Sequence, residues 1–256
     1  MAATATATTG LRLGTTLYSL TTEFHGRDWS FEQIVRKVAE ENLGPGLEVV
    51  GFQSIKGFPA ISDAFADRFA GLIAETGLEL SCLGINADGA IGRFRDLDED
   101  ELVTYHEDQL HAAKRLGFPL VRYQFAAGPE VIRRLVPLAE KLGIRMALEV
   151  HAPHHVQHPD ILAFREMYEK VGSPMLGFIP DFGASARAVP PSFYDYVREL
   201  GAPEALIETA REIWHNDDVT MEGMHAFGER GLDGGADVRV VVVVYAVWWG
   251  VRGLGA

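Results

Sequence analysis

The chain has 256 residues, 23 basic against 36 acidic for a net charge of −13, 47% apolar residues and a single cysteine. That is enough chain for one large domain or two small ones, and the ordinary balance of apolar and charged residues excludes wholesale disorder, collagen-like structure and coiled coil. One cysteine excludes an internal disulfide scaffold, and scattered Lys and Arg on an acidic chain argue against binding nucleic acid.

The first ten residues are Ala and Thr repeats, without the basic and apolar regions of a signal peptide, and read as a loose tail (1–10). Strand-like runs rich in β-branched and aromatic residues begin near Leu11, Gly46, Glu79, Leu120, Arg145 and Met175. Helical spacing is predicted between them over Phe31 to Leu43, Asp63 to Thr76, Asp98 to Leu116, Glu130 to Leu142 and Pro159 to Val171. Ser30, with Gln33 three residues on, and Ser62 are the predicted N-caps of the first two helices. Gly44, Gly77, Gly117, Gly143 and Gly172 are the predicted left-handed stops. Cys82 lies in an apolar run and reads as a small buried hydrophobe in a reducing compartment, which points to the cytoplasm.

Strand and helix alternate every ~33 residues, the size of a βα unit of a parallel sheet. The fold class is therefore α/β, either a doubly wound open sheet or a parallel (β/α) TIM-type barrel. No glycine-rich phosphate turn follows the first strand, where Thr15, Thr16, Leu17, Tyr18 and Ser19 stand, so the barrel is preferred. Helical segments are predicted over Ser192 to Leu200, Pro203 to Asn216 and Thr220 to Glu229. After Arg230 there is no Lys and no Glu, and a valine run follows, so the barrel (11–231) reads as incomplete or altered at its C-terminus, with 232–256 an atypical hydrophobic segment. The uncharged run Val240 to Val251 is well short of the roughly 20 residues a membrane helix needs and reads as a buried strand.

Parallel barrels carry their chemistry at the C-terminal ends of the strands. The fifth strand ends Glu149, Val150, His151 and the sixth ends Ile179, Pro180, Asp181. Strand alternation puts Glu149 and His151 on one face and Leu148 and Val150 on the other. Carboxylates from neighbouring strands can share one divalent cation, with Mn, Mg or Zn suited to oxygen and imidazole donors, and His151 can act as general acid or base. Other strand ends carry groups suited to a polyol: Tyr18, Glu48, Gln53, Asn86, Asp88, Arg122 and Gln124. His154, His155 and His158 match no closed zinc pattern and read as exposed loop histidines, while His106, His111 and His215 read as core-edge or solvent groups.

The stretch PEVIRRLVPLAEKLGIRMALEVH from Pro129 to His151, with LGTTLYSL, GLEVVGFQS and FIPDFGAS, resembles the xylose-isomerase-like barrel family of sugar phosphate isomerases and epimerases. That resemblance implies a divalent metal on Glu149 and Asp181, with a His from strand seven and a Glu from strand eight. No convincing strand-seven His is found, no Glu follows Glu229, His225 is a poor substitute, and Ala184 stands where the family often has a His. GLEVVGFQS and DFGASARAVPPS look closer to the metal-binding subunit of C-glycoside deglycosidases, which implies acid-base work for His151 and a small β-rich second subunit.

The leading expectation is a metal-dependent sugar isomerase or epimerase of carbohydrate metabolism working through an enediolate. The first alternative is a lyase cleaving the C–C glycosidic bond of a 3-oxo-glycoside, and the second is a catalytically inactive truncated barrel. The expected partners are a sugar or glycoside and either a second copy of the chain or a small β-rich subunit, with no nucleic acid and no membrane.

Overall fold

The computed structural model describes residues 12–26, 28–87, 89–90, 95–151, 154, 156–181 and 191–215. The expectations for Asp88, His155, Ala184, His225, the tail and the valine run lie outside the described residues. In chain order the elements are β1 (Gly14–Thr16), α1 (Thr21–His25), α2 (Phe31–Glu40), β2 (Gly46–Val50), α3 (Gly51–Ser54), α4 (Asp63–Thr76), β3 (Glu79–Gly84), α5 (Glu99–Leu116), β4 (Leu120–Tyr123), α6 (Pro129–Leu142), β5 (Arg145–Val150), α7 (Pro159–Val171), β6 (Leu176–Pro180), α8 (Pro191–Glu199) and α9 (Glu204–His215). The strands form one sheet in the order β1 to β6, and the four pairings from β1 through β5 are parallel. Sequential order with helical crossovers is the wiring of a (β/α) barrel.

The local signals act as expected. Ser30 accepts from the Gln33 N–H while the Gln33 side chain accepts from the Ser30 N–H, a complete capping box on α2. Ser62 caps α4 through the Phe65 N–H at 3.2 Å. Gly77, Gly117 and Gly143 close α4, α5 and α6 in the left-handed region. The first helix differs: α2 ends at Glu40 rather than Leu43, because the chain turns at Asn42 (φ 53°), leaving Gly44 in the loop that receives β1. Asparagine tolerates that conformation better than other side-chain-bearing residues do.

Two compact units divide the chain, Met1–Glu149 with Phe164–Ile179, and Val150–Ala163 with Pro180–Ala256. In the first, the outward strand face (Leu47, Val49, Leu83, Val121, Tyr123, Met146 and Leu148) is fully buried with Ile34, Val35, Phe69, Leu110, Ile132 and Leu135 from the helices. Each such side chain contributes roughly 1.5–3 kcal/mol on removal from water. The Tyr123 and Tyr168 hydroxyls bond one another within this layer, and burial raises the Tyr168 pKa to about 12. In the second unit, α8 and α9 bury Tyr194, Val197, Leu206 and Ile207, and Arg198 ties Asp195 to Glu204. Among the described residues, no helix is long and apolar enough to cross a membrane.

Candidate active site

Opposite the apolar layer, the inward face of the first unit carries polar side chains held by sheet register. Thr16 pairs with Glu48, and Glu48 pairs with Cys82, because an irregularity between Leu47 and Glu48 shifts the β2–β3 register past Ser81. One strand further on, Gly84 pairs with Arg122 and Arg122 with Ala147. Arg122, on β4, reaches back across β3 to donate to Glu48 Oε1 on β2 at 2.8 Å, and its other terminal nitrogen donates to Glu149 Oε2 on β5. Gly84 eases that crossing, since a Cβ there would lie 3.2 Å from Arg122 Nη2 and 3.3 Å from Val50 Cγ2, tight enough that both would have to give by a few tenths of an ångström.

Thr16 Oγ1 donates to Glu48 Oε1 at 3.1 Å, and Gln124 Nε2 stands 3.4 Å from Glu149 Oε2, at the weak limit of a hydrogen bond. The three charged side chains are 14% (Arg122), 21% (Glu48) and 15% (Glu149) exposed, so this is a largely desolvated carboxylate–guanidinium–carboxylate array. Burial works against the Arg122 charge, but Glu48 and Glu149 outweigh it and raise its pKa above the usual value. Cys82, beside Glu48, is pushed up by burial and then by that carboxylate, so it stays a neutral thiol, the small buried hydrophobe expected of it.

The site residues expected from the sequence divide into three groups. Glu48, Gln124 and Glu149 meet around Arg122. Tyr18, Gln53 and Asn86 stand apart from that cluster in the same unit. Tyr18 is 59% exposed in a 3-10 turn at Leu17–Leu20, just past β1. Gln53, on α3, lines a cavity of about 640 Å³ with Phe24, Phe31, Phe52, Phe58 and Phe65. Asn86, past the end of β3, is held at its backbone by Gln109 of α5, whose side chain accepts from Asn86 N–H at 2.8 Å and donates to Asn86 C=O at 2.9 Å.

The third group lies in the second unit, where His151 and Asp181 directly follow the last residues of β5 and β6, and Asp181 N–H donates to Val150 C=O at 2.9 Å. His154 corrects the sequence reading: it is not an exposed loop histidine but 2% exposed, facing Asp160. The Pro-flanked loop suggested solvent, whereas the start of α7 supplies a polar partner that permits burial. His106 is likewise fully buried rather than at the core edge, its Nδ1–H donating to Leu102 C=O at 2.7 Å one turn back, and burial lowers its pKa.

Arg122 was legible only as one polar strand-end residue among several. A cation two strands from one acid and next to another is the signal for its role, but the Gly84 opening that connects them appears only in register.

The family model described as xylose isomerase-like TIM barrel matches residues 46–200, more than half the chain. The chain belongs to that family. Among curated relatives of this xylose isomerase-like chain, the 3'-dehydrocarminate deglycosidase alpha subunit of Microbacterium sp. is 51% identical over 203 residues, covering 79% of this chain and 58% of the relative. The C-glycoside deglycosidase alpha subunit of Microbacterium trichothecenolyticum is 48% identical over 202 residues, covering 79% and 55%. The chain thus spans somewhat over half the length of the curated relatives it matches. A D-psicose 3-epimerase solved with D-fructose superposes with a TM-score of 0.54 at 18% identity, covering 73% of this chain and 69% of that one, a likeness of fold.

Proposed function

We propose that this xylose isomerase-like chain belongs to a C-glycoside deglycosidase, a lyase that breaks the C–C bond between a 3-oxo sugar and its aglycone and works with a second, small β-rich subunit in the cytoplasm. The observation that carries the reading is 51% identity over 203 residues to a deglycosidase alpha subunit. It favours C–C cleavage over the isomerase or epimerase expected first, for which the likeness to an epimerase supplies only the fold. The cavity ringed by five phenylalanines near Gln53 is chemically suited to a flat aromatic aglycone.

Glu149 and Asp181 are the proposed ligands of a divalent cation, Mn, Mg or Zn. The donor chemistry fits: Arg122 occupies Glu149 Oε2 and leaves Oε1 for another cation, and two hard carboxylates suit a small divalent ion. When bound, such an ion supplies Lewis-acid polarisation of the sugar carbonyl and its neighbouring hydroxyl.

The chain's own groups do the rest. A 3-oxo group acidifies the C2 hydrogen, which His151 removes as general base, and the electron pair passes to the carbonyl oxygen as an enediolate-type anion. Arg122, fixed between Glu48 and Glu149, places permanent positive charge on the polar sheet face where that anion develops. Return of the electrons re-forms the carbonyl and makes the C1–C2 double bond. The C1–aglycone bond breaks, and protonated His151 delivers its hydrogen to the aglycone carbon. Gln124, Glu48, Tyr18 and Asn86 are the proposed partners of the sugar hydroxyls.

The test incubates the full-length protein, with Mn²⁺ and its co-expressed partner subunit, with a 3-oxo-C-glycoside and separately with a ketohexose. Released aglycone is expected, falling at least 100-fold with His151→Gln while that variant melts as wild type, and at least 100-fold with Glu149→Gln at a temperature where that variant, which loses its pair with Arg122, is still folded. C3 epimerisation of the ketohexose with an untouched C-glycoside would establish the epimerase instead. No turnover of either compound by metal-loaded protein would leave an inactive barrel.

A further inference from the structure

The loop after β5 and the first turn of α7 bring together a set of metal donors that includes neither of the rim carboxylates. His154 Nε2 lies 3.3 Å from Asp160 Oδ2, and His158 Nδ1 lies 3.5 Å from the same oxygen. One ligand atom from each of the three residues falls within 4.8 Å of the others. The two imidazole rings approach edge to face, with centroids 4.2 Å apart.

These separations have a simple meaning. Zinc bonds imidazole nitrogen and carboxylate oxygen at about 2.0–2.1 Å, so two donors on a tetrahedral ion lie about 3.3 Å apart. The two histidine–carboxylate edges already have nearly that length. Octahedral ions at similar bond lengths demand adjacent donors at about 3.0 Å, closer than either edge. Two nitrogens and one carboxylate also form a donor set that zinc favours over magnesium or calcium.

Local structure prepares the site. Leu162 N–H donates to His158 C=O at 2.9 Å, so His158 stands at the entrance of α7 with Pro159 and Asp160 as its first helical residues. Helix geometry therefore fixes two of the donors, and His154, 2% exposed, brings the third from within the protein. The bond from Asp160 N–H to His158 Nδ1 is 3.3 Å long, beyond the usual range, so an ion displaces it at little cost.

We propose that His154, His158 and Asp160 form a zinc site, with water in the fourth position, that braces the loop following the strand of Glu149 and His151. The site uses none of the proposed catalytic ligands, so the two can be tested separately.

The test uses full-length protein stripped with chelator and titrated with Zn²⁺, and with Co²⁺ as a spectroscopic probe, in a Glu149→Gln/Asp181→Asn background that removes the rim carboxylates. One equivalent of Zn²⁺ is expected to bind still, and Co²⁺ to give the intense visible absorption of a four-coordinate ion. His158→Gln and Asp160→Asn, both at exposed or half-exposed positions, are each expected to weaken binding at least tenfold in that background. The Asn variant keeps a short polar side chain at the helix start, so an unchanged melting temperature separates lost ligation from lost folding. Absence of Zn²⁺ uptake in the rim-disabled background, or uptake and spectrum unchanged by both substitutions, would overturn the proposal. Retained aglycone release after His158→Gln, alongside its loss after Glu149→Gln, distinguishes this site from the catalytic one.

Discussion

Replacing Arg122 by methionine keeps an unbranched apolar stem and removes the charged guanidinium. Among the described residues, Glu48 and Glu149, 21% and 15% exposed with Arg122 in place, then keep the Thr16 donor to Glu48 and the long Gln124 contact to Glu149. Removing one partner from a buried ion pair costs about 3–5 kcal/mol, because the remaining charge loses its counterion without regaining water. The residual exposure places this site at the lower end, ~3 kcal/mol.

The measurement is urea unfolding at neutral pH in the presence of chelator, so that no bound ion substitutes for the guanidinium, with stability taken from the midpoint at unchanged slope. A double-mutant cycle with Glu48→Gln isolates the pair. Once Glu48 is neutral, Arg122→Met is expected to be milder by at least about 1 kcal/mol, the coupling of groups in direct contact. A cost below about 1 kcal/mol, as for an exposed salt bridge, together with additive single effects would refute the idea that Arg122 neutralises a desolvated carboxylate pair.

The same cycle tests Gly84. In Gly84→Val the new side chain occupies the path of Arg122, so the protein is expected to lose about 1–3 kcal/mol and the Arg122–Glu48 coupling to fall toward zero; full coupling in that variant would show that the guanidinium has another route. Buried His106 predicts a pH dependence of known sign. Its folded pKa is lowered, so as pH falls below about 6.5 the unfolded chain takes up a proton that the folded chain refuses, and stability drops by up to about 1.4 kcal/mol per pH unit until the folded ring also titrates. Denaturation midpoints between pH 7.5 and 5.5 should therefore decline less steeply in His106→Leu than in wild type, and identical slopes would contradict the burial argument.

The sequence alone determined what short-range physics controls. The capping box at Ser30, the left-handed glycines at Gly77, Gly117 and Gly143, and the alternation that places Leu148 outward and Glu149 inward each depend on residues a few positions apart. Repetition of these signals, together with the motif from Pro129 to His151, carried the α/β barrel class and the family. Only tertiary structure decided that Arg122 joins Glu48 to Glu149, positions 74 and 27 residues away, because that contact follows from strand register, with its irregularity on β2, and is eased by the missing Cβ on β3. His154 was misread for the same reason: a loop histidine's burial depends on whether a partner such as Asp160 is delivered to it, and that delivery is made by the helix that follows rather than by the loop's own composition.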